Sequence, residues 1–194
     1  MSIVVNEQTG DISLHQQTLI TKLLETFGML EAKPKYTPLP PNVNLSNSQP
    51  TPIPHNDIIF MWDKYYRKAL GSLNHITNGT CPNISFSVNV LMRYTSDPHP
   101  IHWKLVQHIM AYLKTTIDYA ITYKKGRTIK PLGYSDALFA DNPDSWKPMA
   151  GQVFLMCGGP VTWKAKTLKR VSMSTGETEY VALYETGRQA RWLI

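Results

Sequence analysis

Hydrophobic residues recur along this chain with two different periods, and the changes of period mark out its elements. Ile3-Val4-Val5 and Ile12-Ser13-Leu14 are short extended runs around Asn6 to Asp11, with Thr9-Gly10 between them. Two such runs flanking a Gly-containing loop predict a β-hairpin. Leu19, Ile20, Leu23, Leu24 and Phe27 follow at helical spacing and Gly28 is a natural stop, so a helix is predicted from about Gln16 to Phe27. From Pro34 to Pro54 the chain carries seven prolines (34, 38, 40, 41, 50, 52 and 54) among Asn and Ser. Proline lacks the N–H and fixes φ, so an extended, partly flexible linker is expected there.

Three apolar stripes of helical period come next. Tyr66, Ala69, Leu70, Leu73 and Ile76 share the first, which ends near Asn78-Gly79. Ile84, Val88, Leu91 and Tyr94 share the second, which begins after Cys81-Pro82 with Asn83 as a candidate cap. Ile101, Leu105, Val106, Ile109, Met110 and Leu113 share the third, set off by Asp97-Pro98-His99-Pro100. Short connections favour antiparallel neighbours, so a small helical bundle is expected. Trp103 and Tyr112 on the third stripe are expected in the core, with base stacking as the alternative.

Beyond a strand at Tyr119 to Tyr123 the period becomes two. Leu132, Tyr134 and Asp136 alternate with Gly133 and Ser135, Val153, Leu155 and Cys157 alternate next, and Val161 and Trp163 follow Gly158-Gly159-Pro160. Strand, Gly-rich turn and strand predict a hairpin. Ser174 or Thr175 can then cap a helix with Glu177 or Thr178 in its first turn, and Ala182, Leu183, Thr186 and Ala190 share a face with Glu179. The local expectation is three antiparallel strands with a helix packed across them. Such a fold can bring Asp136 and Glu179 together across 43 positions of sequence. Facing carboxylates are what a hard divalent cation takes as ligands. Acidic residues also end strands and start helices for capping reasons alone.

Composition narrows the picture less than charge does. No apolar run is long enough to span a membrane, and no charged-then-apolar leader marks the chain as secreted. Cys81 and Cys157 form no C-x-x-C pair and no disulfide framework, which suits two reduced thiols in an intracellular protein. His99 and His102 form H-P-I-H, but no second Cys or His pair answers it, and Pro100 makes a loop the expectation there. The net charge of +6 sits in the middle of the chain. Residues 1–60 carry 3 basic and 5 acidic side chains, residues 61–130 carry 10 and 3, and residues 131–194 carry 7 and 6. A local basic field attracts a polyanion, although Lys and Arg also supply ordinary solvated surface.

The alternating region carries four motifs in order: YSDALFAD at Tyr134 to Asp141, KPMAGQVF at Lys147 to Phe154, GGPVTW at Gly158 to Trp163, and STGETEYVAL at Ser174 to Leu183. On these residues it resembles the ribonuclease H domain of copia-type LTR-retrotransposon polyproteins. That family shows YSD-x-DWAGD, K-S-T-S-G-Y-V-F, GG-x-[IV]-S-W and S-[ST]-x-E-A-E-Y-x-A-L. Leu138 and Phe139 replace the second aspartate and the tryptophan of the first motif, and Pro148-Met149-Ala150 replaces S-T-S. The earlier part resembles the same polyprotein. Lys22 to Met29 matches K-L-L-x-x-F-G-M, and Ala32 to Leu39 matches A-K-P-x-x-T-P-L. Tyr66 to Ile76 matches Y-R-x-x-[VI]-G-S-L-x-Y-[LI]. Thr80 to Val88 matches T-R-P-D-I-x-[FY]-A-V with Cys81 and Asn83 in place of Arg and Asp, and His102 to Tyr119 matches the H-W segment that follows.

The resemblance implies an α+β fold. A small helical thumb and connection region is followed by an incomplete ribonuclease H-like three-stranded sheet with one helix. By this reading residues 1–60 are the end of the reverse transcriptase palm and thumb with the linker 34–54, residues 61–118 are the helical thumb and connection, and residues 119–194 are the N-terminal half of the ribonuclease H domain. Asp136 and Glu179 fall on two catalytic carboxylates, implied ligands of Mg²⁺ with Mn²⁺ as substitute. The family uses about four carboxylates around two metals. The other two lie beyond the first helix and find no match before Ile194, so weak metal binding and feeble or no activity are expected of this chain. The implied substrate is an RNA–DNA hybrid, its backbone held by Lys124, Lys125, Arg127 and Lys130 in one basic loop and by Lys164, Lys166, Lys169 and Arg170 beside the hairpin. The implied location is intracellular, in cytoplasmic virus-like particles or the nucleus, with no membrane partner. An open sheet edge makes self-association plausible. The alternative is a non-catalytic nucleic-acid-binding remnant or scaffold module.

Overall fold

The computed structural model describes residues 1–41, 43, 45, 65–139 and 144–193. It is an α+β protein with five α-helices and two three-stranded sheets among those residues. The chain forms two units, one made of His15–Tyr119 with Met1, the other of Ser2–Leu14 and Ala120–Ile194.

The first unit is helical. In α1 (Gln17–Thr26) Ile20, Leu23 and Leu24 are buried. Gly28, at φ 63°, ends the helix, and the Met29 N–H donates to the Leu24 carbonyl at 2.8 Å. In α2 (Tyr65–Gly79) the whole sequence stripe is buried, from Tyr66 to Ile76. A 3₁₀ turn (Pro82–Ile84) leads into α3 (Ser85–Met92), with Ile84, Val88 and Leu91 inside. Asn83 does not cap this helix; its Nδ2 donates to the Tyr112 hydroxyl at 2.7 Å. In α4 (Pro100–Thr115) Leu105, Val106, Ile109, Met110 and Leu113 face the core. Pro100 is the first residue of this helix rather than part of a loop, a position where a missing N–H costs nothing.

H-P-I-H therefore builds a helix start. The His99 N–H donates to His102 Nδ1 at 2.9 Å, and the buried His102 ring stacks on Tyr94 with centroids 4.0 Å apart. Tyr112 is buried and the Trp103 ring lies 6.0 Å from that of Phe27, so both aromatics serve packing. Buried polar groups are tied across the unit. The Tyr66 hydroxyl donates to the Leu91 carbonyl at 2.8 Å, Tyr94 to that of Leu45 at 2.6 Å, and Thr80 to Gln16 Oε1 at 2.9 Å. Burial holds the Tyr66 hydroxyl pKa well above its usual range. The first part of the proline-rich segment runs beside α4, where the Lys35 N–H meets Thr115 Oγ1 at 3.2 Å and His108 Nε2 meets the Thr37 carbonyl at 2.9 Å. Residues 42, 44 and 46–54 of the expected linker lie outside the described residues.

The second unit holds both sheets. Strands β1 (Ser2–Val5), β2 (Ile12–His15) and β3 (Ile121–Tyr123) form the first, in that order. Asn6 shapes the β1–β2 turn by accepting the N–H groups of Gln8 and Thr9 at 3.0 and 3.2 Å. The strand expected near Tyr119 to Tyr123 thus joins the N-terminal hairpin, with Ser13 opposite Thr122, and not the later sheet. That later sheet is β4 (Leu132–Leu138), β5 (Met149–Met156) and β6 (Gly159–Thr167), antiparallel in sequence order. Cys157 and Gly158 form the β5–β6 turn with φ of 52° and 83°. Two consecutive positive φ values are what a two-residue type I′ hairpin turn demands. Helix α5 (Thr175–Leu193) packs on β4 and β5.

Leu73 has no exposed surface. Leu73→Ala should cost about 2–5 kcal/mol, read as a lower midpoint at unchanged slope in urea unfolding. Burial pushes the Cys81 thiol pKa up, more than its hydrogen bond with Thr80 pulls it down. Alkylation followed by mass spectrometry should find Cys81 modified at least about tenfold more slowly than the half-buried Cys157.

Candidate functional site

The register of the second sheet decides where each candidate side chain points. Ser135 pairs with Gln152 and Ala137 with Ala150, while Asp136 sits opposite Gly151. Directly paired residues share a face. Ala150 and Gln152 line a cavity together with Ala182, Thr186 and Gln189 of α5, so theirs is the face that the helix covers. Asp136 therefore takes the other face with Tyr134 and Leu138, and all three are exposed. Its Oδ1 accepts the Ala137 N–H at 2.8 Å.

Glu179 is set by the start of α5. The Ser174 hydroxyl accepts the Glu177 N–H at 3.1 Å, and Glu177 Oε2 accepts the Met173 N–H at 2.7 Å, so Ser174 is the cap. The buried stripe of α5 is Thr178, Ala182 and Thr186. Leu183, expected on that face, is 61% exposed, and the stripe is rotated by one residue toward the threonines. Their hydroxyls are satisfied locally, Thr178 donating to the Ser174 carbonyl at 3.1 Å and Thr186 to that of Ala182 at 2.8 Å. A threonine so bonded can be buried without an open polar atom, and its small size lets the helix approach the sheet. Glu179, next to the buried Thr178, is exposed.

Asp136 lies near the Leu138 end of β4, and Glu179 near the start of α5. β6 ends at Thr167, which pairs with Met149, itself opposite Leu138, and α5 starts after a short connection from there. Asp136 is two residues from that end. Asp136 is on the face of the sheet away from α5, and Glu179 is exposed on α5. Among the described residues no group of three or more Asp, Glu, His or Cys side chains has a metal-holding arrangement.

The basic residues separate into three sets. Lys124, Lys125, Arg127 and Lys130 are exposed on the loop after β3. That loop is clamped to the β5–β6 turn: the Lys124 N–H donates to the Cys157 carbonyl at 2.8 Å, and the Cys157 N–H donates to the Thr128 carbonyl at 3.1 Å. Lys169 and Arg170 are exposed beyond the other end of β6. A nine-residue strand lies between the two sets, which separates them by about 27 Å. Lys164 and Lys166 belong to neither set, because they face α5 and line the cavity. The cavity and the burial of Thr178 escaped the sequence reading, whereas Ala182 and Thr186 lie on the inward face as expected. A basic residue on alternate positions of an edge strand was the available signal.

The chain is 34% identical, over all 194 of its residues, to the retrovirus-related Pol polyprotein from transposon TNT 1-94 of Nicotiana tabacum. Its homologues are retrovirus-related Pol polyproteins of plant transposons. It spans 14% of the length of that polyprotein, and 12% of the polyprotein from transposon RE2 of Arabidopsis thaliana, to which it is 31% identical over 182 residues. The chain is also 35% identical over 128 residues to the secreted RxLR effector protein 161 of Plasmopara viticola, a match that covers 66% of this chain and 90% of that protein. No family model and no solved structure matches the chain. No helix among the described residues of this polyprotein segment is long and apolar enough to cross a membrane.

Ser174→Ala should cost about 1 kcal/mol and fray the first turn of α5, which precedes Glu179. Hydrogen exchange should show faster exchange at Glu177 and Thr178 with little change at Gln189.

Proposed function

We propose that this segment is of copia type and runs from the end of the reverse transcriptase, through its thumb and connection, into the first half of a ribonuclease H domain. In this reading residues 1–60, 61–118 and 119–194 are those three parts in order. The observation that carries it is the match to a Pol polyprotein along the whole chain, with an acidic residue on the first strand of a three-stranded antiparallel sheet and another early in the helix that follows.

Asp136 and Glu179 are the proposed ligands of Mg²⁺ or Mn²⁺. Carboxylate oxygens are the donors such hard cations take, both side chains are exposed, and only Oδ1 of Asp136 is engaged by a neighbouring N–H. A divalent cation there would supply positive charge at the scissile phosphate and an activated water. Two carboxylates hold a strongly hydrated Mg²⁺ weakly, so slow hydrolysis is the expectation for the chain by itself. The protein's own part is to hold the hybrid. The exposed Lys124, Lys125, Arg127 and Lys130 meet one stretch of phosphates, and Lys169 and Arg170 a second stretch at the other end of β6. Phosphate contacts of this kind position a duplex without reading its sequence. The intracellular sites at which such elements replicate, virus-like particles and the nucleus, are where the segment would act.

A second reading is a nucleic-acid-binding or scaffold module without catalysis. It is favoured by the Plasmopara viticola relative, 90% of whose length is covered by the match, a protein made almost wholly of such a segment.

The test is incubation of the purified chain with a labelled RNA–DNA hybrid in Mg²⁺ and in Mn²⁺. Slow cleavage, faster in Mn²⁺ and lost in Asp136→Asn and Glu179→Gln, is expected. Hybrid binding without cleavage in either metal would sink the catalytic reading and leave the binding module. Binding should weaken as salt rises, and Lys125→Gln combined with Arg127→Gln should reduce that salt dependence.

A further inference from the structure

The cavity beneath α5 plays no part in the function proposed above, and its lining is chemically specific. Its volume is about 480 Å³, within the range of about 300–1,000 Å³ typical of small-molecule sites. Gln152 of β5, Lys164 and Lys166 of β6, and Arg188, Gln189 and Trp192 of α5 contribute to its wall. Glu185 also lines it, but lies 3.7 Å from Arg188 and offsets that cation. Among the described residues no acidic group is paired with Lys164 or Lys166, so the cavity keeps a net positive charge. Lys166 is half-buried, an environment in which an unneutralised ammonium favours an anion. Trp192 is 78% exposed although it lines the cavity, so its indole is available at the rim. Gln152 and Gln189 each offer both a donor and an acceptor.

We propose that this cavity binds one nucleotide unit. The base stacks on the Trp192 indole, its polar edge meets the Gln152 and Gln189 amides, and the phosphate is held by Lys164 and Lys166. Base–aromatic stacking beside a cationic backbone contact is the recurrent chemistry of nucleotide recognition without sequence preference. The size of the cavity limits the occupant to about one nucleotide. That nucleotide is either free or the terminal unit of a strand. The site is separate from Asp136, which lies on the other face of the sheet, and it needs no metal.

The test uses the full 194-residue chain in EDTA, so that failure of the proposed metal site has no bearing on it. Adenosine monophosphate, inorganic phosphate and a 5′-phosphorylated single-stranded oligodeoxythymidylate are titrated in turn, with the Trp192 indole N–H followed by NMR and assigned through Trp192→Phe. Adenosine monophosphate should shift that resonance and bind at least tenfold more tightly than phosphate. Lys164→Gln with Lys166→Gln should weaken it at least tenfold with an unchanged circular dichroism spectrum. Trp192→Ala, at an exposed position, should weaken the nucleotide but not phosphate. Equal affinity for the mononucleotide and the oligonucleotide identifies a free nucleotide as ligand, and at least tenfold tighter oligonucleotide binding with the same Trp192 shift identifies a strand end. No shift at Trp192, equal binding of phosphate and nucleotide, or affinity unchanged in both variants overturns the proposal.

Discussion

Seven consecutive cross-strand pairs, from Leu132 opposite Leu155 to Leu138 opposite Met149, decide what every side chain of the later sheet does. Side chains alternate along a strand, so a slip of one residue would exchange the two faces completely. Asp136 would turn under α5, and Ser135 and Ala137 would turn out to solvent. Two local features hold the register. The Cys157-Gly158 turn admits only a two-residue loop between β5 and β6. Gly133 lies so close to the Phe154 ring that an added Cβ would fall 2.5 Å from it, so no larger residue could take its place in the ladder. The exposed carboxylate and the basic cavity are opposite faces of one pairing pattern.

The helix that covers the sheet shows a different constraint. Its buried side chains are small and two of the three are threonines. The sequence pattern places Ala182, Leu183, Thr186 and Ala190 on one face with Glu179; Ala182 and Thr186 are buried there with Thr178, although burying an unbonded hydroxyl carries a penalty. Hydroxyls bonded to carbonyls one turn back remove that penalty, and the wide leucine is left outside. Tyr180, Leu183 and Tyr184 are exposed as a result. In the helical unit, by contrast, the stripe from Tyr66 to Ile76 is both apolar and buried. There the period of the sequence and the period of burial coincide.

What was legible in the sequence was local. The stripes of α1 to α4, the Gly28 stop, the Gly-rich turn of the last hairpin and the Ser174 cap each depend on residues within a few positions. What was not legible depends on distant partners. Asn83 reads as a helix cap until Tyr112 stands beside it, and His102 reads as a loop residue until Tyr94 stacks on it. Lys164 and Lys166 read as part of an outer basic surface until the register sets them on the face that carries α5, where both line the cavity. The two carboxylates are candidates by motif, and the face that Asp136 takes follows from the register alone. The N-terminal third of β5 also escaped, since Ala150-Gly151-Gln152 carries no apolar alternation and is strand only because Asp136 and Ala165 flank Gly151.

The pairing of β2 with β3 joins Ser13 to Thr122, 109 residues later. On a ribosome adding about 5–20 residues per second, the first hairpin would emerge some 5–20 seconds before the strand that completes its sheet. Through that interval Ile3, Val4 and Val5 form a two-stranded ribbon, which is marginally stable at best, while the intervening helices can already fold around their own local contacts. Within this segment the order of synthesis and the order of assembly thus run differently: its earlier-made strands belong to the unit that is finished later.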